Sequence, residues 1–344
     1  MGRTVAVVGA TGAVGQDLRR LLLRREFPCD DVAFLASERS AGRTLMFGDR
    51  EVTVQALSEP GVFDGVDLAL FSAGGSRSRE YAPQAVAAGA VVVDNSSAWR
   101  MDPDVPLVVT EVNPDAVAGM RKGIIANPNC TTMAAMLPLK ALHDVFGLVS
   151  MVATSFQAAG GAGQKGMDEL LAQVPALLAE PESLRRDGAA AAKLVEHRVH
   201  AAALAFNVVP WLGSHAQDGY SDEEMKLRNE SRKILDLPDL TVSPTCTRVP
   251  VMVGHSIQVR ATFAQDVDVE RAVAACEAFP GLEVMDLPTP LEWAGRDEVA
   301  VGRIRADLAD PRSLNFFVVG DNLLKGAALN TLQIGELLVA RGMV

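Results

Sequence analysis

The sequence has few cysteines and few aromatic residues, and it contains no long apolar run. Its four cysteines are Cys29, Cys130, Cys246 and Cys276. They lie far apart and lack the spacing of zinc sites or disulfide frameworks, so we expect reduced thiols, no bound metal and a cytoplasmic location. No stretch of about 18 apolar residues could span a membrane. The N-terminus leads directly into an apolar segment, so we also expect no secretion signal.

Basic residues are also fewer than acidic ones. The 344 residues include 32 Lys and Arg but 43 Asp and Glu, which gives a formal net charge of -11. This balance disfavours binding to nucleic acids or anionic membranes, so we expect the partners to be small-molecule substrates. The length exceeds what one hydrophobic core usually serves, and it predicts two domains.

The N-terminal segment predicts a dinucleotide-binding domain. Thr4–Val8 is an apolar run typical of a parallel strand buried on both faces, and a glycine turn and a helix to about Glu26 follow it. Such a turn lets the backbone approach a pyrophosphate, whose charge faces the helix N-terminus. The spacing Gly-x-x-Gly-x-x-Gly departs from the common fingerprint, so a tight structural turn is the alternative. The candidate cofactor residues here are Gly9, Thr11, Gly12, Ala13 and Val14.

Further short apolar segments predict a doubly wound, mainly parallel sheet, with helices between several of its strands. The predicted strands are Val32–Ala36, Leu68–Phe71, Val91–Val93, Leu107–Val109 and Gly123–Ala126, and the clearest helix is Arg79–Ala88.

The turn after the second strand predicts NADP as the cofactor. Ser37, Arg39 and Ser40 offer hydroxyls and a guanidinium suited to a 2′-phosphate. Glu38 lies in the same turn and keeps NAD open, since a carboxylate there could bind the ribose hydroxyl. Another turn of small residues would let the cofactor lie close to the backbone; it consists of Ser72, Ala73 and Gly74.

Cys130 is the candidate nucleophile. It follows the predicted strand Gly123–Ala126 and the helix breakers Pro128 and Asn129, and the residues from Thr131 onward predict a helix. A cysteine in a first helical turn gains from unpaired N–H groups and the helix dipole, both of which favour the reactive thiolate. The alternative is a small buried apolar side chain.

The second half predicts a different domain. Longer strands at Val149–Phe156, Val251–Thr262 and Asn315–Val319 suggest a mixed or antiparallel sheet, with a helical region at about Gln164–Leu204. Within that region His197 and His200 have a spacing that metals can use, but no third ligand accompanies them. We therefore expect a solvated helix there. A final apolar helix, ending near Val339, is long enough to pack back on the first domain.

Several polar side chains occupy positions suited to substrate binding. Glu223 and Lys226 share one face of a charged helix, where they could bind an ammonium and an anion, although a solvated face is the alternative. Arg248 and His255 bracket an apolar segment, and burial of an arginine there would require a partner. Gln157 ends a strand before a glycine run. With Cys130, these groups describe a site for a small zwitterion and an oxyanion.

Taken in order, these motifs resemble the aspartate-semialdehyde dehydrogenase family over essentially the whole chain. The matching segments are Gly9–Gly15, Ser37–Gly42, Ser96–Met101, Asn127–Thr132, Ser155–Gln157 with its glycine run, Glu223–Lys226, Arg248 with His255, and Asp321–Gly326. The resemblance implies an NADP-binding domain of residues 1–129 with 322–344, a catalytic and dimerisation domain of residues 130–321, and a homodimer. Departures from the familiar pattern at Trp99, Phe156 and Gly320 do not touch the implied chemistry.

The resemblance also implies a role for each site residue. Cys130 would attack the aldehyde, His255 would act as acid and base, and Gln157 would position the thioester. The implied ligand-binding residues are Arg248 for the substrate carboxylate, Glu223 for its amino group, Arg100 and Lys226 for phosphate with Asn129 nearby, and Gly160 and Asn322 for the cofactor. The product, 4-aspartyl phosphate, belongs to the biosynthesis of lysine, threonine, methionine and diaminopimelate.

Two other functions stay open at this point. An N-acetyl-γ-glutamyl-phosphate reductase has similar thiol chemistry but accepts an acylated amino group, to which the carboxylate of Glu223 is poorly suited. An inactive cofactor-binding paralogue is the non-enzymatic alternative, and the joint presence of Cys130, Gln157 and His255 disfavours it.

Overall fold

The computed structural model describes residues 2–344, which form two compact units. The first unit consists of the chain up to Met136 together with Glu230–Leu237 and Leu323–Val344. The second consists of Leu137–Asn229 and Pro238–Asn322. Both units combine helices with a six-stranded sheet.

The chain alternates strands and helices. The strands are β1 (Thr4–Val8), β2 (Asp31–Ala36), β3 (Thr44–Phe47), β4 (Arg50–Thr53), β5 (Gln55–Ala56), β6 (Leu68–Phe71), β7 (Val91–Asp94), β8 (Ile124–Ala126), β9 (Leu148–Gln157), β10 (Thr241–Arg248), β11 (His255–Phe263), β12 (Leu282–Val284), β13 (Val299–Ala306) and β14 (Ser313–Gly320). The helices are α1 (Ala13–Arg24), α2 (Gly75–Ala87), α3 (Cys130–Phe146), α4 (Gln164–Leu178), α5 (Pro181–Arg186), α6 (Gly188–Ala192), α7 (Asp222–Ile234), α8 (Val269–Glu277), α9 (Pro290–Trp293) and α10 (Leu329–Ala340).

The sheet of the first unit is entirely parallel, in the order β5-β2-β1-β6-β7-β8. Its central strands are buried and apolar, as expected where helices cover both faces. Helices α1 and α10 contribute leucines such as Leu18, Leu21 and Leu332 to the same core as β1. Burial of each leucine contributes about 1.5–3 kcal/mol. The predicted doubly wound parallel sheet is confirmed.

One strand predicted for this sheet is wrong. Leu107–Val109 makes only a single bridge to the sheet, between Leu107 and Ala126. The side chain of Asn113 instead makes two hydrogen bonds to this segment. It accepts from the N–H of Val109 at 2.9 Å and donates to the carbonyl of Leu107 at 2.9 Å. A side chain therefore takes the polar groups that a strand ladder would have used.

The sheet of the second unit is mixed, as predicted, in the order β10-β9-β11-β14-β13-β12. Strand β9 pairs parallel with β10 and antiparallel with β11. This register sets Arg248 opposite Gln157 and Ser256 opposite Phe156. Because His255 directly precedes Ser256, the three polar residues Gln157, Arg248 and His255 lie at the same end of adjacent strands.

The prediction of one strand over Val251–Thr262 is wrong at its start, because β11 begins only at His255. The preceding residues form a loop whose carbonyls are used elsewhere. Those of Val251 and Met252 accept hydrogen bonds from the N–H groups of Ala159 and Gly160, at 2.8 and 2.9 Å. Half-buried loop residues can be as apolar as a strand, so composition alone did not separate the two.

The helical region predicted over about Gln164–Leu204 is confirmed as far as Ala192 and is wrong beyond it. Three helices, α4, α5 and α6, end at Ala192, and the residues that carry His197 and His200 are irregular. The Glu169 carboxylate accepts hydrogen bonds from three successive backbone N–H groups, those of residues 198–200, at 2.6–3.1 Å. An anion held by adjacent N–H groups favours an irregular turn over a helix. His200 is buried, and it does not lie on a solvated helix.

Candidate active site

Cys130 is the first residue of α3 and is half-buried. The side chain of Asn129 caps the helix, since its Oδ1 accepts from the N–H of Thr131 at 2.9 Å and of Thr132 at 3.4 Å. The thiol therefore lies in the first turn, where N–H groups and the helix dipole favour an anion. The predicted position of Cys130 is confirmed.

The turn before Cys130 is held by buried polar side chains. Arg100 donates from Nε to the carbonyl of Asn127 at 2.9 Å and from Nη1 to Glu230 at 3.1 Å. Glu230 accepts from the backbone N–H of Asn129 at 2.6 Å. Asn127 is held in turn by Asn330, whose Nδ2 donates to its Oδ1 at 2.7 Å. Arg100 and Asn129 thus meet around the turn before Cys130, in the first unit.

The other cysteines lie in surroundings that disfavour the thiolate. Burial raises the pKa of Cys246 and of Cys276 to about 12. Burial also raises the pKa of Cys29. These three side chains are uncharged thiols at neutral pH, in contrast to the helix-capped setting of Cys130.

His255 is completely buried at the start of β11. Its Nδ1 is 3.1 Å from the backbone N–H of Ala158, which can only donate, so Nδ1 accepts. The neutral ring must then carry its proton on Nε2, and this atom has no hydrogen-bond partner among residues 2–344. Burial, assisted by the charge of Arg248, holds the pKa of His255 well below its usual value. The site therefore contains a neutral imidazole with one N–H to donate.

This depressed pKa predicts a stability effect with a definite sign. Below about pH 6.5 the unfolded chain binds a proton at His255 that the folded protein does not, so falling pH favours unfolding. The stability advantage of the wild type over His255→Gln should shrink by about 1 kcal/mol between pH 6.5 and 5.5. Denaturant titrations at several pH values measure it. The exposed His197→Gln is the control, and an advantage of His255 that stays constant with pH would contradict the assignment.

Arg248 and Gln157 extend the group around His255. Arg248 ends β10 and donates from Nη1 to the carbonyl of Ala158 at 2.6 Å. Gln157 ends β9, is buried, and donates to the hydroxyl of Ser155 at 3.2 Å. A Cβ atom at Gly161 would lie 2.8 Å from Arg248 Nη1 and 3.1 Å from His255 Cε1. The absence of a side chain at Gly161 thus keeps the space beside the guanidinium and the imidazole open.

Glu223 and Lys226 contact each other on α7. Lys226 Nζ lies 3.1 Å from a Glu223 oxygen and 2.8 Å from an Asp222 oxygen. Burial lowers the pKa of Lys226, but the two carboxylates outweigh this effect and raise it above the usual value. Lys226 is therefore a cation beside two anions, and the second unit holds it together with Gln157, Arg248 and His255.

The glycine turn after β1 has the shape that close backbone approach requires. Gly9 has a φ of +91°, and a Cβ atom there would overlap the carbonyl oxygen of Ser72. Gly12 precedes α1, whose first residues are Ala13 and Val14, so the helix N-terminus opens directly on the turn that contains Thr11. Ser72, Ala73 and Gly74 form the turn between β6 and α2.

The turn after β2 lies next to the glycine turn, because Thr11 Oγ1 donates to Ser40 Oγ at 3.4 Å. Glu38, the residue that kept NAD open, accepts from the hydroxyl of Ser58 at 2.7 Å. This hydrogen bond lowers the pKa of Glu38. Arg39 is exposed, and Ser37 is half-buried.

Gly160 and Asn322 lie together in the second unit. Asn322 is buried and accepts from the N–H of Gly254 at 2.9 Å through Oδ1. Its Nδ2 has no hydrogen-bond partner among residues 2–344, and a Cβ atom at Gly160 would approach it to 3.4 Å. A buried donor without a partner is costly, so this amide is suited to a ligand acceptor.

Three residues that shape the candidate site were not predicted from the sequence. Glu230 and Asn330 hold the turn before Cys130, and Gly161 keeps space open beside His255. The available signals were weak: a charged helix for Glu230, an apolar helix for Asn330 and a glycine run for Gly161. Across residues 2–344 no helix is long and apolar enough to cross a membrane, and no cluster of three potential ligands could hold a metal.

Two family models match the chain. The model described as "Semialdehyde dehydrogenase, NAD binding domain" matches residues 4–120. The model described as "Semialdehyde dehydrogenase, dimerisation domain" matches residues 139–325. The first domain is therefore of a type that binds a nicotinamide cofactor.

Similar proteins cover the chain almost completely. The aspartate-semialdehyde dehydrogenase of Corynebacterium glutamicum is 52% identical over 343 residues, which cover 98% of this chain and 99% of the relative. The crystal structure of aspartate semialdehyde dehydrogenase II complexed with ASA, from Vibrio cholerae, has a TM-score of 0.93 and 41% identity, and 99% of each chain is covered. The Candida albicans enzyme with NADP has a TM-score of 0.77 and 26% identity, with 100% of each chain covered.

Proposed function

Because the chain belongs to the aspartate-semialdehyde dehydrogenase family, as its motifs predicted, we propose that it interconverts L-aspartate 4-semialdehyde, phosphate and NADP with L-4-aspartyl phosphate and NADPH. The protein is then a cytoplasmic oxidoreductase of amino-acid biosynthesis, on the route to lysine, threonine, methionine and diaminopimelate. Its residues 139–325 match the family's dimerisation domain, which supports a homodimer as the working form.

The position of Cys130 is the observation that carries this proposal. Its thiolate, favoured by the first turn of α3, attacks the aldehyde carbon and forms a hemithioacetal. Loss of hydride from that carbon leaves a thioester. Phosphate then attacks the thioester, loses its proton and releases the thiolate, so the nucleophile is regenerated with each turnover.

His255 supports the reaction as a hydrogen-bond donor. In its neutral form the ring carries a proton on Nε2, which can stabilise the oxyanion that forms when the thiolate adds to the aldehyde. Its depressed pKa keeps this state populated at neutral pH. Because Nδ1 accepts from the backbone and Nε2 carries the proton, the neutral ring donates to the oxyanion, and this role replaces the acid and base role that the family resemblance implied. Gln157 would position the thioester carbonyl.

The charged residues account for the ionic groups of the substrates. Arg248 would bind the α-carboxylate, and Glu223 would bind the α-ammonium group, which an acylated substrate lacks. Lys226 and Arg100 would bind phosphate. Arg100 uses three of its five N–H groups to hold Asn127, Glu230 and Asn95, which leaves two for an anion.

The cofactor assignment rests on the fit of three groups to its parts. The turn of Gly9 and Gly12 suits a pyrophosphate, and the unpartnered Nδ2 of Asn322 beside Gly160 suits the carboxamide of nicotinamide. Since Ser58 engages Glu38, the groups left in the turn after β2 are Ser37, Arg39 and Ser40, which suit a 2′-phosphate. Bound NADP would supply the hydride acceptor.

We expect Arg39→Ala to raise the KM for NADP by about 10- to 100-fold, because it removes a charge-assisted hydrogen bond to the 2′-phosphate. The KM for NAD, which has no such phosphate, should change little. Steady-state kinetics with both cofactors measure the difference. Arg43→Ala, an exposed arginine of the same segment, is the matched control. Equal increases for NADP and NAD would argue against a 2′-phosphate site.

The experiment that tests the function is NADP reduction with L-aspartate 4-semialdehyde, with and without phosphate. Phosphate-dependent turnover with this free-amino substrate is expected. Parallel assays with N-acetylglutamate semialdehyde and with NAD serve as controls. Turnover with the acetylated substrate alone would mean that Glu223 does not bind an ammonium, and no turnover with either substrate would indicate an inactive paralogue.

A further inference from the structure

Glu230 is a buried carboxylate that is hydrogen-bonded to Asn129, the residue before Cys130. Its side chain is only 1% exposed. One oxygen lies 3.1 Å from Arg100 Nη1, and the other accepts from the backbone N–H of Asn129 at 2.6 Å. Burial of an ion pair is costly unless it is closely paired and hydrogen-bonded, so its presence here calls for a reason other than stability.

Both partners of this ion pair are anchored. Arg100 also donates from Nε to the carbonyl of Asn127 and from Nη2 to the carbonyl of Asn95, each at 2.9 Å. Lys233, one turn further along α7, fixes the same segment through its ammonium. It donates to the carbonyls of Arg100, Asp102 and Val105 at 2.8, 2.7 and 2.7 Å. These contacts fix the carboxylate of Glu230 relative to the turn before Cys130.

We propose that Glu230 is a positioning residue for Cys130, acting through Asn129. Glu230 accepts a hydrogen bond from the N–H of Asn129 and so orients Asn129. The side chain of Asn129 can then cap the N–H of Thr131, and α3 can begin at Cys130. Arg100 balances the charge of Glu230, so a carboxylate can bind the residue that precedes the thiolate. The inference rests on the proposed role of Cys130 as nucleophile.

Position and charge predict opposite effects on thiol reactivity. If Glu230 acted only through its charge, Glu230→Gln would leave the Arg100 cation unbalanced, which favours the thiolate and moves alkylation to lower pH. If Glu230 acts by position, the same change loosens the helical turn whose N–H groups favour the thiolate, and alkylation becomes slower and moves to higher pH. The direction of the shift therefore distinguishes the two roles.

The test is the rate of Cys130 alkylation by iodoacetamide in the full-length protein, followed by peptide mass spectrometry across pH. We expect Glu230→Gln to be about 10-fold slower at pH 7, with its half-maximal rate at higher pH. Glu230→Asp, which keeps the charge, should recover part of the rate. In the assay, kcat should fall while the KM for the semialdehyde changes less than about 3-fold. Glu336→Gln breaks another ion pair of the first unit, with Arg25, and should match the wild type.

A wild-type rate in Glu230→Gln, or a shift to lower pH, would overturn the proposal. If that variant does not fold, the double variant Arg100→Met with Glu230→Leu, which buries no charge, replaces it. Slow alkylation in the folded double variant supports positioning. Normal alkylation, or failure of the double variant to fold, would assign the pair a purely structural role. Because alkylation needs no substrate, absence of semialdehyde turnover in the wild type would refute the proposed function separately.

Discussion

Cys130→Ala should lower turnover of L-aspartate 4-semialdehyde by about 10⁴-fold or more, because no other group can form the thioester. The three remaining cysteines cannot replace it, since burial raises the pKa of each. NADP should still bind with unchanged affinity, because the residues assigned to it do not include this thiol. Single-turnover kinetics and fluorescence titration of the cofactor measure the two quantities.

A matched thiol provides the control. Cys276 is buried in α8, and Cys276→Ala should keep turnover within about 3-fold of the wild type while it loses about 1 kcal/mol of stability. Near-normal turnover in the Cys130→Ala variant would contradict the thioester mechanism. A variant that lost both turnover and NADP binding would instead point to misfolding, which a circular dichroism spectrum would reveal.

Much of the first sheet could be predicted because its strands are short, apolar and flanked by clear breakers. Leu68–Phe71 was predicted with its observed bounds, since all four residues are apolar and small residues follow them. Leu107–Val109 has the same composition but makes only a single bridge to the sheet, at Ala126. What decides its structure is the side chain of Asn113, which binds its backbone, and sequence patterns do not reveal such a bond.

The same limit applies to loops and helices of the second unit. Val251 and Met252 are as apolar as a strand, yet they form a loop whose carbonyls bind Ala159 and Gly160. The irregular segment with His197 and His200 follows from the carboxylate of Glu169, about 30 residues away. Local composition cannot report a backbone segment that a distant side chain stabilises.

The position of Cys130 could be predicted because its setting is local. A strand, a proline and an asparagine precede Cys130, and a helix begins there. Its support could not be predicted. Glu230 lies in a charged helix that suggested solvent exposure, and only the fold shows that it is buried against Arg100, 130 residues earlier in the chain. Residues that act on a site through a backbone contact carry no sequence signal of their own.

Gly161→Ala should lower kcat/KM by about 100-fold, mainly through KM, with little loss of stability. The added Cβ would lie 2.8 Å from Arg248 Nη1 and 3.1–3.2 Å from the ring of His255. Arg248 is flexible enough to move away, so the fold should survive. Its guanidinium would then leave the position from which we propose that it binds the substrate carboxylate. The backbone adds no strain of its own, because Gly161 does not have a positive φ.

Gly188→Ala is the control that isolates the effect of space. This glycine lies in the same unit, also lacks a positive φ, and a Cβ there would meet nothing within 4 Å. Gly188→Ala should therefore keep wild-type kinetics, and as a helical glycine it should gain up to about 1 kcal/mol of stability. Wild-type KM in Gly161→Ala would show that the substrate does not use the space between Arg248 and His255. A loss confined to kcat would mean that the methyl group disturbs the imidazole and leaves the guanidinium in place.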